Sequence, residues 1–98
     1  MLHCSIIYIK FYLIMPNKEI LKKQIIYRSM HRGTKEMDLL LGNFVNKHLN
    51  EFNDIELDDL NALLFIEDEI IYKWYFENKL NDRIQNNKVT KMLKAFKL

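Results

Sequence analysis

With 98 residues and a formal net charge of +2, the chain is long enough for one domain with a single modest core and too weakly charged to argue for a nucleic-acid partner. Its apolar fraction of 49% and charged fraction of 29% are ordinary for a globular protein, and the basic side chains interleave with acidic ones without forming runs. Cys4 is the only cysteine, which excludes an intrachain disulfide and a cysteine-based metal centre and suits a reducing compartment.

Residues 1–14 differ from the rest. Leu2, Ile6, Ile7, Tyr8, Ile9, Phe11, Tyr12, Leu13 and Ile14 form an apolar run broken by Lys10. The run is too short to span a bilayer as a helix, and it has neither the basic start nor the cleavage site of a signal peptide. Met15-Pro16-Asn17 reads as a fresh start. The expectation is that residues 1–14 are a non-native or disordered extension and that 15–98 form a single helical domain. The alternative for 1–14 is a short strand or a membrane-surface segment.

A first helix is expected over about 18–30, with Asn17 as cap, Ile20, Leu21, Ile25 and Tyr27 or Arg28 as an imperfect apolar stripe, and Lys18, Lys22 and Lys23 on the wet side. A second, over about 35–49, carries the cleanest pattern: Met37, Leu40, Leu41, Phe44, Val45 and His48 fall on one face. Gly42 interrupts it, either costing about 1 kcal/mol against alanine or admitting a neighbouring helix. His48 is expected at the rim, favoured by the helix dipole. Asn53 and Glu56 predict a capping box for a third helix over about 54–65, with Leu57, Leu60, Leu63 and Leu64 inward. Asp54, Glu56, Asp58 and Asp59 lack the ligand alternation and glycine of a calcium loop, so they read as a solvated face. Asp68 is expected to cap a fourth helix with Ile70, Ile71, Trp74 and Tyr75 inward, while Tyr72 and Phe76 add aromatic bulk. Residues 78–87 read as a loop tacked down by Leu80 and Ile84. A last helix over about 88–96 places Val89, Met92, Leu93 and Phe96 on one face, with Lys91, Lys94 and Lys97 complementing its dipole. The fold expected is all-α, a compact bundle of five short antiparallel helices.

Between the first two helices lies Arg28-Ser29-Met30-His31-Arg32-Gly33-Thr34-Lys35-Glu36-Met37-Asp38. Gly33 is expected to turn the corner in a left-handed conformation, Thr34 to cap the next helix, and Glu36 and Asp38 to sit in its first turn. The plainest reading is a well-capped junction with an Arg32–Glu36 surface pair. No nucleophile–base–acid constellation and no glycine-rich phosphate loop accompanies it, so nothing reads as an active site.

The same stretch has the form R-G-x-x-E at Arg32-Gly33-Thr34-Lys35-Glu36. It continues as Met37-Asp38-Leu39-Leu40-Leu41-Gly42-Asn43-Phe44, and Leu63-Leu64, an acidic cluster and Ile71-Tyr72-Lys73-Trp74 follow in order. Over about residues 18–97 this closely resembles the succinate dehydrogenase flavinylation factor family, the small FAD assembly factors of bacteria and mitochondria. Thr34 stands where that family usually has methionine, and Tyr75-Phe76-Glu77-Asn78 replaces a glycine-containing turn.

The resemblance implies a five-helix bundle that binds the flavoprotein subunit of succinate dehydrogenase, in some bacteria of fumarate reductase, and promotes covalent attachment of FAD to a histidine of that subunit. It implies an assembly factor with no catalytic nucleophile and no cofactor of its own, acting on FAD bound to the partner. Carried over position by position, the partner-binding residues are Arg32, Gly33 and Glu36, with Arg28, His31 and Asp38 as flanking surface. In this picture Arg32 makes a fork-like contact to the flavoprotein, Gly33 lets the backbone approach closely, and Glu36 accepts hydrogen bonds or orients Arg32. The expected protein is a monomer that takes no nucleic acid and does not insert into a membrane. Its expected compartment is a bacterial cytoplasm, with the mitochondrial matrix as the alternative. The competing readings are a small helical nucleic-acid-binding or regulatory adaptor using the basic corner, and an enzyme with its site near the aromatic cluster and His48.

Overall fold

Each apolar stripe read from the sequence must be buried on a neighbour, and short connections leave few ways to do it. A computed structural model describes residues 17–98, and the expectations for residues 1–14 and for a start at Met15 lie outside them. It contains α1 (Asn17–Met30), α2 (Lys35–His48), a single 3₁₀ turn (Leu49–Glu51), α3 (Asp54–Leu64), α4 (Asp68–Phe76) and α5 (Lys88–Ala95). The described residues include no strand, and the fold is the all-α bundle expected. Helix α1 packs on α2 and α3, and α3 packs on α5.

The core is built from the predicted stripes. Met37, Leu40, Leu41, Phe44 and Val45 of α2 meet Leu57, Leu60, Leu63 and Leu64 of α3, with Ile25, Ile71, Val89 and Leu93 from the other helices. Phe44 lies at its aromatic end, 5.5 Å from the ring of Phe96 in an edge-on arrangement and 6.2 Å from that of Phe52. His48 closes this end at the rim, as expected, its ring 5.1 Å from Phe44 and its Nδ1 paired with Glu51.

Helix α4 turns Ile70, Ile71, Trp74 and Tyr75 to the core as expected, whereas α1 departs in part from its expected face. In α1 the stripe is Leu21, Ile25 and Ser29, one residue every four, and Tyr27 points outward at 62% exposure. Ser29 tolerates burial because its hydroxyl donates to the Ile26 carbonyl at 2.8 Å. Asn17, expected as the cap, is already helical. In α4, Tyr72 and Phe76 pack on each other, with centroids 4.7 Å apart, and both stay substantially exposed. Leu80, expected to pin the following loop, is 94% exposed, and Ile84 alone packs on the core there. Gly42 faces α1, but an added Cβ would be 3.7 Å from the Ser29 carbonyl oxygen, an ordinary contact, so the approach of α1 does not require glycine.

The helix starts are fixed by side chains that satisfy orphan N–H groups. Thr34 Oγ1 accepts from the Met37 N–H at 3.3 Å. Asn53 and Glu56 form the predicted capping box, accepting from one another's N–H at 2.8 and 3.0 Å. A second box, unread in the sequence, joins Asn87 and Thr90 at the start of α5. Of the expected acidic face, Asp54 pairs with Lys18 at 3.5 Å and Glu56 with Lys88 at 2.9 Å. Lys94 reaches across to α4 and donates to the carbonyls of Trp74 and Tyr75 (the latter at 3.2 Å), so it serves that helix's C-terminus instead of its own.

The box at α3 has a pH consequence. The Asn53 N–H, then Lys88, hold the Glu56 carboxyl below its ordinary value of 4.5. The unfolded chain therefore takes up the proton first, and stability rises with pH across that window. The contribution is fully present above pH 4.5 and is lost as pH falls through the lower folded value. Glu56→Gln should lower Tm near neutral pH and flatten the acid-side fall of Tm. An unaltered Tm and acid slope, read by circular dichroism, would count against the box.

Candidate functional site

The sequence places its charged corner where α1 ends at Met30 and α2 begins at Lys35, and this segment docks onto the turn between α3 and α4. Arg32 points inward. Its Nε donates to Asp68 Oδ1 at 2.7 Å, its Nη1 to the Leu64 carbonyl at 2.6 Å, and its Nη2 to the Ile66 carbonyl at 2.9 Å. The side chain is 8% exposed. The Leu64 carbonyl belongs to the last turn of α3, where no intrahelical donor remains, so the guanidinium caps one helix while pairing with the first residue of the next. The corner is thus joined to α3 and α4 by one planar fork.

The backbone of the corner is held from two sides. The Arg32 N–H donates to Asp38 Oδ1 at 2.6 Å, and the Gly33 N–H donates to Asp68 Oδ2. Asp68 is the first helical residue of α4 and not its cap, which is Glu67, without a capping side-chain bond. The role of Gly33 also differs from the expected one. No described glycine has a positive φ, so the corner is not turned by a left-handed residue. What sets position 33 apart is room: a Cβ there would lie 2.9 Å from Asp68 Oδ2, so the carboxylate that holds Arg32 would have to shift.

The flanking residues divide into a scaffold and a front. Arg28 is half-buried, donating from Nη1 to Asn61 Oδ1 at 2.7 Å with its guanidinium 4.4 Å over the Phe65 ring. His31 is exposed; its ring stacks on Tyr27 at 3.9 Å, and Nδ1 donates to the Tyr27 carbonyl at 2.8 Å. Gly33, Thr34, Lys35 and Glu36 are exposed, and Asp38 lies half-buried behind them. The expected Arg32–Glu36 pair is not formed, since Asp68 takes the guanidinium. In the free chain the fork of Arg32 is likewise engaged internally instead of being offered to a partner.

Over residues 23–97 the chain matches the family model described as flavinator of succinate dehydrogenase. The chain belongs to that flavinator family. Among curated proteins it is 43% identical to "Succinate dehydrogenase assembly factor 2, mitochondrial" of Scheffersomyces stipitis, over 76% of this chain and 53% of the relative. It is 39% identical to the protein of that name from Meyerozyma guilliermondii, over 78% and 59%, and 40% identical to that of Candida glabrata, over 82% and 56%. The chain therefore spans just over half the length of these relatives, all of which are named mitochondrial.

Within this flavinator-family fold, the sequence singled out the corner but gave no sign of two of its supports. Asp68 is separated from Arg32 by 36 positions and Asn61 from Arg28 by 33, so no local spacing signals either. The residues suggested for an enzyme are not gathered in one place. An open groove of about 680 Å³ between α4 and α5 is lined by Trp74, Asp82, Lys91 and Lys94 among others, while His48 sits with Phe44 and Phe96 and does not line it. No helix among the described residues is long and apolar enough to cross a membrane.

Proposed function

We propose that this flavinator-family chain is a succinate dehydrogenase assembly factor. It docks through the corner at 31–36 on the flavoprotein subunit and promotes covalent attachment of FAD to a histidine of that subunit. The observation that carries this reading is the family match over residues 23–97, which takes in the whole corner and the helices that hold it. FAD and the accepting histidine belong to the partner and supply the bond chemistry; this chain brings no cofactor and no nucleophile. Its contribution is shape. A rigid monomeric wedge, pressed against the flavoprotein, favours the arrangement in which histidine and flavin stand in near-attack geometry. Exposed His31, Gly33 and Glu36 make the contact, while Arg28, Arg32 and Asp38 hold the corner from behind. The mitochondrial naming of the relatives favours the mitochondrial matrix over the bacterial cytoplasm expected from the sequence. The nucleic-acid reading loses support because the guanidinium groups of Arg28 and Arg32 have acceptors within the chain and are not held out towards phosphates.

The test is co-expression of the flavoprotein subunit with and without this chain, read by in-gel flavin fluorescence of the denatured subunit. Covalent flavin should rise severalfold when the chain is present. Glu36→Ala should keep the helical signal and Tm of the wild type yet lower the covalent flavin at limiting factor concentration, since an exposed first-turn residue contributes little to folding. Undiminished flavinylation by Glu36→Ala would move the docking surface elsewhere.

A further inference from the structure

We propose that Asp68 is a positioning residue of the docking corner: its carboxylate, carried at the first position of α4, holds the backbone at Arg32 and Gly33 in the shape the flavoprotein meets. The inference rests on the docking function proposed above and adds to it a residue outside the R-G-x-x-E stretch.

Three observations converge on Asp68. First, its two oxygens serve two consecutive residues of the corner: Oδ1 accepts from Arg32 Nε at 2.7 Å, and Oδ2 accepts from the Gly33 N–H. Both are charge-assisted hydrogen bonds, and because they share one carboxylate neither residue moves without disturbing the other. Second, the only atoms within 4 Å of a Cβ built on Gly33, beyond its chain neighbours, are Asp68 Oδ2 at 2.9 Å and Asp68 Cγ at 3.9 Å. Within the chain, then, a side chain at position 33 would displace the Asp68 carboxylate and meet no other neighbour, and the φ of Gly33 is not in the left-handed region. Third, the Asp68 side chain is only 23% exposed, while Gly33, Thr34, Lys35 and Glu36 in front of it are exposed. Asp68 thus shapes the surface from behind it. A corner ordered before the encounter binds more tightly, because the ordering is not charged against binding.

The test titrates full-length factor into the flavoprotein subunit with FAD and reads covalent flavin by in-gel fluorescence, giving a half-saturating factor concentration and a plateau. Asp68→Asn keeps an acceptor of the same shape but removes the charge. It should remain helical by circular dichroism, raise the half-saturating concentration about tenfold and leave the plateau unchanged. Val89→Ala truncates a fully buried side chain on α5 outside the corner, and should lower Tm while keeping the wild-type half-saturation. Gly33→Ala should shift half-saturation strongly in the wild-type background and little in the Asp68→Ala background, where the added methyl has room. Wild-type half-saturation for Asp68→Asn, an equal shift for Val89→Ala, or an undiminished effect of Gly33→Ala without Asp68 would each overturn the proposal. A wild-type factor that fails to raise covalent flavin would remove the docking function itself, and this inference with it, so the two failures are separable.

Discussion

Arg32→Ala should lower the stability of the free protein by about 3 kcal/mol, a large part of the 5–15 kcal/mol of a small domain. The side chain is 8% exposed and its guanidinium fills three acceptor sites on two helices and the turn between them: Asp68 Oδ1, the Leu64 carbonyl and the Ile66 carbonyl. Its removal strands two carbonyls and leaves the Asp68 carboxylate without a counter-charge. That carboxylate keeps the Gly33 N–H and some contact with water, which places the loss at the low end for a broken buried pair. Arg32→Lys should recover little, since an ammonium cannot span the three acceptors of a planar fork. Urea unfolding followed by circular dichroism measures the effect. A midpoint for Arg32→Ala equal to that of the wild type would mean that the guanidinium does not occupy the interior. Loss of flavinylation in this variant would therefore report a weakened fold, not a lost contact with the partner, and so Glu36 is the better probe of docking.

Phe44→Ala should be at least as damaging, costing about 4 kcal/mol. The ring is fully buried, lies edge-on to Phe96 and is flanked by Phe52 and His48. Its loss leaves a cavity bounded by aromatic faces that cannot collapse into it without moving α5. Phe96 caps α5, and its carbonyl accepts the Tyr75 hydroxyl. Hydrogen exchange should therefore speed up first in α5 and at the end of α4. Uniform exchange across the bundle would show that Phe44 does not organise this end.

The helices were legible where the signal was local. Five stripes at helical spacing, Thr34 at one start and Asn53 with Glu56 at another needed only residues three or four apart, and these are where the structure has them. Helix α1 was read less well because one position of its inward stripe is Ser29, which looks polar until its hydroxyl is seen bonded to its own helix. The R-G-x-x-E stretch drew attention to the corner, but what its arginine and glycine N–H hold on to is Asp68, far along the chain. An acidic triplet at 67–69 looked like a helix start, and one of its members was also an anchor. Long-range pairing of this kind leaves no periodicity to read, and a glycine set apart by room looks the same in a sequence as one required for torsion.

Helix α4 contributes one fully buried residue, Ile71, packs Ile70, Trp74 and Tyr75 partly buried against the core, and is moored by polar groups at its two ends: Asp68 to the corner, and its last carbonyls to Lys94. With so little of it fully buried, α4 is expected to open locally before the bundle melts. Its departure would slacken the corner while most of the apolar interior stayed intact. The corner proposed to dock on the flavoprotein would then be disarmed by a local event that a global melting curve barely registers.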